Sequence, residues 1–270
     1  MTDRIQIGHP TPDEIPVLEA LWMETFGDPP ELVEAFFDQF PPQLHGWVVR
    51  LRGEIVSSAY LLHGNLLIRD GSLCAAPYVY AVATPKEHRG NGYAGRLMQF
   101  FCQTAQERQM QLYTRPASES LFHWYARVMQ TVPAMPLAPI RVPAENRGID
   151  LTQLSPAAYG EKREAILQRR SHIALSSEFL KVQEVFLQAE DGGYYDFGTG
   201  ICAVEKHEDT IWLKEFLCRT ESAESLGGGI AAALHAKQAQ LWIASEHGAP
   251  HVAYSGSLAA DPVEWGLLLD

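Results

Sequence analysis

The segment from Tyr80 to Met98 constrains the fold of this chain more than any other. It predicts a short strand, then a charged turn, and then an amphipathic helix that begins among glycines. The first turn of a helix has backbone N–H groups without internal partners and carries the positive end of the helix dipole. Gly90 and Gly92 leave room for a phosphate beside those amides, and Arg89 and Arg96 add charged donors. The segment therefore predicts a pyrophosphate-binding loop in an α/β fold.

Two classes of nucleotide-binding loop fit glycines in this arrangement. Gly90, Gly92 and Gly95 match the GxGxxG pattern of a Rossmann unit, as in NAD(P)-dependent oxidoreductases. That unit places its first glycine directly after a strand and an acidic residue about twenty positions further on. Here residues 85–89 intervene, and residues 111–115 contain no acid. A Rossmann oxidoreductase is therefore the weaker alternative.

The second pattern, R-x-x-G-x-G/A, is met by Arg89, Gly92 and Ala94 after a predicted strand. This segment resembles motif A of the GNAT N-acetyltransferases, whose loop binds the pyrophosphate of acetyl-CoA. The resemblance implies acetyl-CoA as cosubstrate, with its pantetheine arm paired to a strand that is splayed from its neighbour. The cofactor-binding residues that it implies are Val82, Ala83, Thr84, Arg89, Gly90, Asn91, Gly92, Tyr93, Ala94 and Gly95.

A second block resembles the same family. Residues 110–114 predict the next strand, and the helical segment after it reaches Tyr125. In GNAT proteins a tyrosine at this place can protonate the departing CoA thiolate, so the resemblance implies Tyr125 as the catalytic acid. The usual glycine and aromatic residue that follow are replaced by Met129 and Gln130. A purely structural role for Tyr125 in the core is the alternative.

The resemblance also implies direct attack of a primary amine on the acetyl group. GNAT members often carry a glutamate on the strand before the loop, whereas this chain has Tyr78 and Tyr80 there. Glu24 and Glu54 are conceivable substitutes, so the general base stays open. Because this carboxylate is missing, a second class of function stays open, a protein that binds or senses acetyl-CoA without transferring the acetyl group.

Composition limits the partners. The formal net charge of −12 argues against nucleic acid, which needs a basic face, and it favours a cationic acceptor. We therefore expect a small-molecule or peptide amine as the acceptor. The ten histidines and four cysteines show no metal-ligand spacing, so no metal site is expected. No apolar run reaches eighteen residues and the start has no apolar signal core, which predicts a cytoplasmic protein without a membrane partner.

The order of predicted elements is β-α-α-β-β-β-α-β-α over roughly residues 3–132, which is the order of a GNAT domain. The predicted fold class is α/β (α+β), with a mixed, mostly antiparallel sheet flanked by helices. We expect this domain over residues 1–135, a proline-rich linker over 136–150, and a smaller domain over 151–270.

The second domain is predicted to repeat the architecture of the first in degenerate form. A helix opened by glycines over residues 226–234 follows a predicted strand, at an offset near 136 residues from the first loop. No arginine corresponds to Arg89. This resembles tandem GNAT-like proteins in which one copy keeps the cofactor loop. The second domain is therefore expected to shape the acceptor pocket or to form a homo-oligomer contact, without its own CoA.

Overall fold

The computed structural model describes residues 5–129, 132–133, 136–218, 222–245, 247–248, 252–255, 263–264 and 269. The helices are α1 (Ile15–Phe26), α2 (Pro30–Gln39), α3 (Pro42–His45), α4 (Tyr93–Glu107), α5 (Glu119–Met129), α6 (Pro156–Leu167), α7 (Ser177–Ala189) and α8 (Ala223–Ala233). The strands are β1 (Ile5–Gly8), β2 (Gly46–Leu51), β3 (Glu54–Leu62), β4 (Asn65–Leu67), β5 (Leu73–Ala75), β6 (Tyr78–Ala83), β7 (Leu112–Thr114), β8 (Val132–Pro133), β9 (Leu137–Pro143), β10 (Thr152–Leu154), β11 (Ser171–Ala174), β12 (Gly193–Asp196), β13 (Gly200–His207), β14 (Thr210–Cys218), β15 (Gln238–Ala244), β16 (Ala253–Ser255) and β17 (Val263–Glu264).

The chain divides into two compact units that exchange short segments. The first unit comprises Met1–Asn65, Cys74–Ala134 and Val252–Ala259, and the second comprises Leu66–Leu73, Met135–His251 and Ala260–Asp270. Each unit therefore contains residues from both halves of the sequence. This differs from the contiguous domains over 1–135 and 151–270 that the sequence predicts, because a strand can pair with partners that are distant along the chain.

The first unit is built on one seven-stranded sheet in the order β1-β2-β3-β6-β7-β16-β8. β6 and β7 are parallel, and the neighbouring pairs are antiparallel. The sheet is therefore mixed and mostly antiparallel, and the predicted fold class is confirmed for this unit.

Helices cover both faces of this sheet. Ala59 on β3 belongs to the core cluster that contains Leu97, Met98 and Phe101 of α4. The ring of the next residue, Tyr60, contacts Trp22, Phe36 and Phe37 of α1 and α2. Since successive strand residues point to opposite faces, α4 and the α1–α2 pair lie on opposite sides of the sheet.

Local signals set both ends of the first helical segment. A 3₁₀ turn at Pro12–Glu14 precedes α1, and the side chain of Glu14 accepts hydrogen bonds from the backbone N–H and hydroxyl of Thr11, in the reciprocal arrangement of a capping box. At the other end, Gly27 takes the left-handed conformation with φ of 82° and donates its backbone N–H to the carbonyl of Met23.

The larger sheet of the second unit follows the order β10-β12-β13-β14-β15-β9. In the same unit, β11 and β17 form a parallel pair. In the larger sheet β12, β13 and β14 are antiparallel, and β15 then runs parallel to β14 after α8. The first unit shows the same succession in β2, β3, β6 and β7, which favours the predicted architectural repeat.

The predicted linker over 136–150 contains a strand instead. β9 pairs antiparallel with β15 from Leu137 opposite Ala244 to Pro143 opposite Gln238. Proline has no N–H to donate to a ladder and is tolerated on an edge strand. β9 lies at the end of the strand order, so Pro139 and Pro143 are compatible with pairing.

The glycine triplet of residues 227–229 lies inside α8 instead of opening it. The helix begins after Ser222, whose side chain accepts a hydrogen bond from the backbone N–H of Ser225. A Cβ on Gly228 would lie 2.5 Å from the carbonyl oxygen of Pro143, and one on Gly229 would lie 2.5 Å from Cδ1 of Ile149. The glycines therefore allow close packing, and the prediction of a glycine-opened helix is wrong.

Candidate active site

Strands β6 and β7 meet at one residue pair and then separate. Tyr78 lies opposite Tyr113 in a parallel pair, and the backbone N–H of Tyr113 donates to the carbonyl of Pro77 at 3.3 Å. Within the residues that the structure describes, no further β6–β7 pair follows toward Ala83. The edge of β6 beyond Tyr78 is therefore available to an extended ligand, which can pair with it as an added strand does.

A β-bulge lies in this part of β6. Tyr60 of β3 faces Tyr80, whereas Ser58 faces Ala83, so Ala81 and Val82 together oppose one residue. Ala81 has φ of 48°, in the left-handed region that non-glycine residues rarely adopt. Such strain costs on the order of 1–3 kcal/mol and concentrates at functional sites. The bulge redirects the backbone groups of Ala81 and Val82 at the separated edge.

The chain leaves β6 through a turn held by side chains. Ser57 donates its hydroxyl to the carbonyl of Ala83 at 2.9 Å, and its oxygen lies 3.0 Å from Oγ1 of Thr84. Nε of Arg89 donates to the carbonyl of Thr84 at 3.0 Å. The side-chain amide of Asn91 donates through Nδ2 to the carbonyl of His88 at 3.0 Å. These bonds set the path of the loop that leads into α4.

Helix α4 begins at Gly92 without a side-chain cap. Gly92 has φ of 78° and Gly90 has φ of 81°, a conformation that favours glycine. Within the part of the chain that the structure describes, no side chain accepts a hydrogen bond from the amides of the first turn, Tyr93 to Gly95. A Cβ built on Gly90 or Gly92 would meet no atom within 4 Å, so both face open space. Open amides at a helix N-terminus form an anion site.

Tyr125 of α5 reaches the end of β7. Its side chain is 7% exposed and packs against Trp124 at a ring-centroid distance of 4.8 Å. Burial raises the pKa of Tyr125 above its ordinary value, and a hydrogen bond with the side chain of Thr114 opposes that rise. Thr114 is the last residue of β7. The hydroxyl is therefore protonated at neutral pH and lies where β7 ends.

Tyr78 and Tyr80 occupy the strand positions at which GNAT members often carry a glutamate base. The rings of Tyr78 and Tyr80 stack at 5.6 Å, and those of Tyr78 and Tyr113 stack at 4.9 Å. The three stacked rings form a row that spans the Tyr78–Tyr113 residue pair, where β6 and β7 are joined. The sequence does not specify this row, because the pairing of residues 78 and 113 is set by the sheet.

The two candidate substitute bases lie elsewhere in the first unit. Oε1 of Glu24 is 3.1 Å from Nζ of Lys86, and Oε1 of Glu54 is 3.6 Å from Nε2 of His88. Both partners belong to the short 3₁₀ turn Lys86–His88, before the loop. Glu24 and Glu54 therefore flank that turn and are not paired with Tyr125 or Thr114.

Among the described residues, no group of three or more His, Cys, Asp or Glu side chains is arranged to hold a metal ion. Within the same residues, none of the helices has the length and apolar character needed to cross a membrane.

Comparison with known families gives one match at the site. The model described as an acetyltransferase (GNAT) domain matches residues 6–128, which contain the loop, α4 and Tyr125. A comparison with curated proteins gives no significant match.

Solved structures share the fold at low sequence identity. A GCN5-related N-acetyltransferase from Anabaena variabilis has a TM-score of 0.72 and 14% identity, covering 93% of this chain and 72% of that chain. One from Kribbella flavida has a TM-score of 0.69 and 15% identity, covering 94% of this chain and 70% of that chain. One from Sphaerobacter thermophilus has a TM-score of 0.50 and 16% identity, covering 94% and 95%.

Proposed function

Since residues 6–128 form an acetyltransferase domain of the GNAT family, we propose that this protein transfers an acetyl group from acetyl-CoA to a primary amine. One observation carries the proposal. The separated edge of β6 leads directly into a loop whose helix begins with open amides. A thioester with a long pantetheine arm and a pyrophosphate fits such a combination.

The described residues fit acetyl-CoA at both ends of this path. The open space at Gly90 and Gly92 admits a pyrophosphate to the amides of Tyr93, Ala94 and Gly95. Arg89 and Asn91 hold the loop, and the backbone of Val82, Ala83 and Thr84 offers the edge for the pantetheine arm. Acetyl-CoA supplies an activated acetyl group when it is bound.

Tyr125 is the proposed general acid. Its hydroxyl carries a proton at neutral pH, as a phenol ordinarily does, and burial raises its pKa further. A proton held at Oη can be delivered to the leaving sulfur, and general acids of this kind contribute about a hundredfold or more. The acceptor amine attacks directly, and its own proton leaves through a base that the sequence does not identify.

Acetyl-CoA binding without transfer is the alternative function. It is favoured by the residues of β6, where Tyr78 and Tyr80 stand instead of a carboxylate base. The two functions differ in whether an amine increases the release of free CoA.

The deciding experiment measures free thiol and acetylated product with the full chain, acetyl-CoA and a library of primary amines. We expect at least one cationic amine to increase CoA release above the amine-free rate and to gain an acetyl group by mass spectrometry. Acetyl-CoA binding with no increase for any amine would favour the alternative. Absence of acetyl-CoA binding would contradict both functions.

The Gly92→Glu variant tests the cofactor loop. The new side chain places bulk and negative charge at the helix N-terminus, so acetyl-CoA affinity should fall on the order of a hundredfold, or two steps of about 1.4 kcal/mol. Calorimetric titration measures the change. Gly198→Glu is the matched control, because Gly198 also has positive φ and open space around it but lies in the second unit. Equal affinity for the Gly92 and Gly198 variants would contradict the assignment.

A further inference from the structure

A groove of about 580 Å³ lies beside the 3₁₀ turn Lys86–His88 in the first unit. Its walls come from α1, the β2–β3 hairpin and residues 85–87. Leu18 and Trp22 place one side of α1 in the core, whereas Val17 and Ala20 line the groove, and Val17 is 50% exposed. Ile55 adds a buried apolar surface. The size falls in the range of small-molecule sites, about 300–1,000 Å³.

The charged side chains that line this groove are carboxylates. They belong to Glu14, Glu24, Glu54 and Glu87, and among the described residues no lysine, arginine or histidine lines it. The carboxylate of Glu14 is already paired within the protein, since Arg50 donates to both of its oxygens. Of the other three, Glu24 is paired with Lys86 and Glu54 lies 3.6 Å from Nε2 of His88, so an occupant competes with these two partners and also meets Glu87.

The internal partner of Glu24 is easily exchanged. Lys86 and Glu24 are 68% and 46% exposed, with 3.1 Å between Nζ and Oε1. Exposed ion pairs contribute only about 0–1 kcal/mol, because water screens them and two long side chains must be ordered. An ammonium group of a ligand can therefore replace Lys86 at Glu24 with little loss.

We propose that this acidic groove binds a small organic cation. Its ammonium group lies at Glu24, Glu54 and Glu87, and its apolar part lies against Val17 and Ile55. The combination of an apolar surface with carboxylates and no lining cation selects for a positive charge next to a hydrophobic group. The site is separate from the edge of β6, and its occupancy does not require acetyl transfer.

Benzyltrimethylammonium is the probe, because it combines a cation with an aromatic ring and has no N–H that could be acetylated. Calorimetric titration of the full chain should show saturable binding below about 10 mM, and benzyl alcohol should bind about tenfold more weakly or not at all. High salt should weaken binding of the cation, since the Debye length is already about 10 Å at 0.1 M. A failure of acetyl transfer leaves this result unchanged, so the two proposals are tested separately.

Variants with opposite expected effects locate the site. Glu24→Gln with Glu54→Gln should lower affinity about tenfold, from loss of about 1 kcal/mol or less at each exposed carboxylate. Lys86→Met should raise affinity, because the internal competitor for Glu24 is removed. Glu34→Gln with Glu107→Gln, which removes the same charge from exposed helix positions outside the groove, should leave it unchanged. A folded chain that shows no saturable binding, or equal affinity in both double variants, would overturn the proposal.

Discussion

At the scale of single residues, the site depends on positions whose conformation contradicts their local preference. Ala81 carries a left-handed backbone in a strand, and Tyr125 buries a hydroxyl next to Trp124. The left-handed backbone of Ala81 is unfavourable by itself, and the buried hydroxyl of Tyr125 depends on its hydrogen bond with Thr114. Each persists because the surrounding sheet and core fix it, which is typical of residues retained for a site.

The Tyr125→Phe variant distinguishes a catalytic role of Tyr125 as general acid from a purely packing role in the core. The ring stays in the core, so acetyl-CoA affinity should be unchanged, while the rate of the chemical step should fall about a hundredfold. Single-turnover kinetics with an identified amine measures the rate. Tyr60→Phe, which removes another buried hydroxyl in the first unit, should leave the rate unchanged. If Tyr125→Phe turns over like the parent chain, Tyr125 has only a packing role.

The second unit contains a buried network of charged side chains. Arg163 is fully buried, and its Nε donates to both oxygens of Glu215 at 3.1 Å. Tyr159 donates to Oε2 of Glu215 at 2.6 Å, and Nη1 of Arg163 donates to the carbonyl of Ile173 at 2.8 Å. Glu164 links Arg163 to His172. The network joins α6, β11 and β14, so loss of one partner would leave a buried charge.

His172 makes this network sensitive to pH. Burial lowers the pKa of His172, but its hydrogen bonds with Glu164 at 2.9 Å and with the carbonyl of Arg170 at 2.8 Å prevail and raise it above 6.5. A raised folded-state pKa stabilises the fold fully below the unfolded pKa, and that contribution is lost as pH rises through the folded pKa.

We therefore expect the free energy of unfolding to fall from about pH 6 to about pH 8, and to fall less in His172→Gln. Denaturant unfolding of the full chain across this range measures the difference. His123→Gln is the control, because the His123 side chain is 69% exposed. Parallel pH curves for the parent chain and His172→Gln would contradict the expectation.

At the scale of elements, residues that usually interrupt helices and strands lie where the neighbouring elements tolerate them. Prolines lie in the edge strand β9, and glycines lie in α8 where it meets residues 142–149. The extended segment over residues 73–83 is divided into β5 and β6 around Ala76 and Pro77. In each case the local residue type permits two conformations, and neighbouring elements select one.

Gly228→Ala tests the packing of α8. Alanine inside a helix normally stabilises by about 1 kcal/mol relative to glycine. At Gly228 the new Cβ would lie 2.5 Å from the backbone oxygen of Pro143, so we expect destabilisation of about 1–3 kcal/mol instead. Gly95→Ala is the control, since no atom lies within 4 Å of its Cβ and it should stabilise. Urea denaturation giving the same sign for both variants would contradict the packing argument.

At the scale of the whole molecule, the two units share an order of strands but differ at the helix after the parallel crossover. The N-terminus of α4 is uncapped and follows Arg89, whereas that of α8 is capped by Ser222 and its glycines are buried. Glycines inside a helix present no open amides to an anion. In the described part of the second unit, α8 therefore lacks the open N-terminus and the neighbouring arginine that carry the proposed cofactor site.

We expect one acetyl-CoA per chain. In a protein with a net charge of −12, a capped helix without a neighbouring arginine gives the CoA phosphates little attraction. Equilibrium titration of the full chain should give a stoichiometry of one, and Gly92→Glu should weaken that site on the order of a hundredfold. A stoichiometry of two, or a site whose affinity is unchanged in Gly92→Glu, would contradict this expectation.

The sequence by itself determined the features that depend on neighbours along the chain. The capping box of α1, the hairpin of β2 and β3, the buried face of α4 and the R-x-x-G-x-A loop are all readable within about fifteen residues, since caps, turns and periodicity act locally. The family resemblance implied the separation of β6 from β7, whereas the tertiary structure decided the bulge at Ala81 and the interior position of the α8 glycines. These depend on strand partners and packing surfaces distant in sequence, and a local pattern does not specify them.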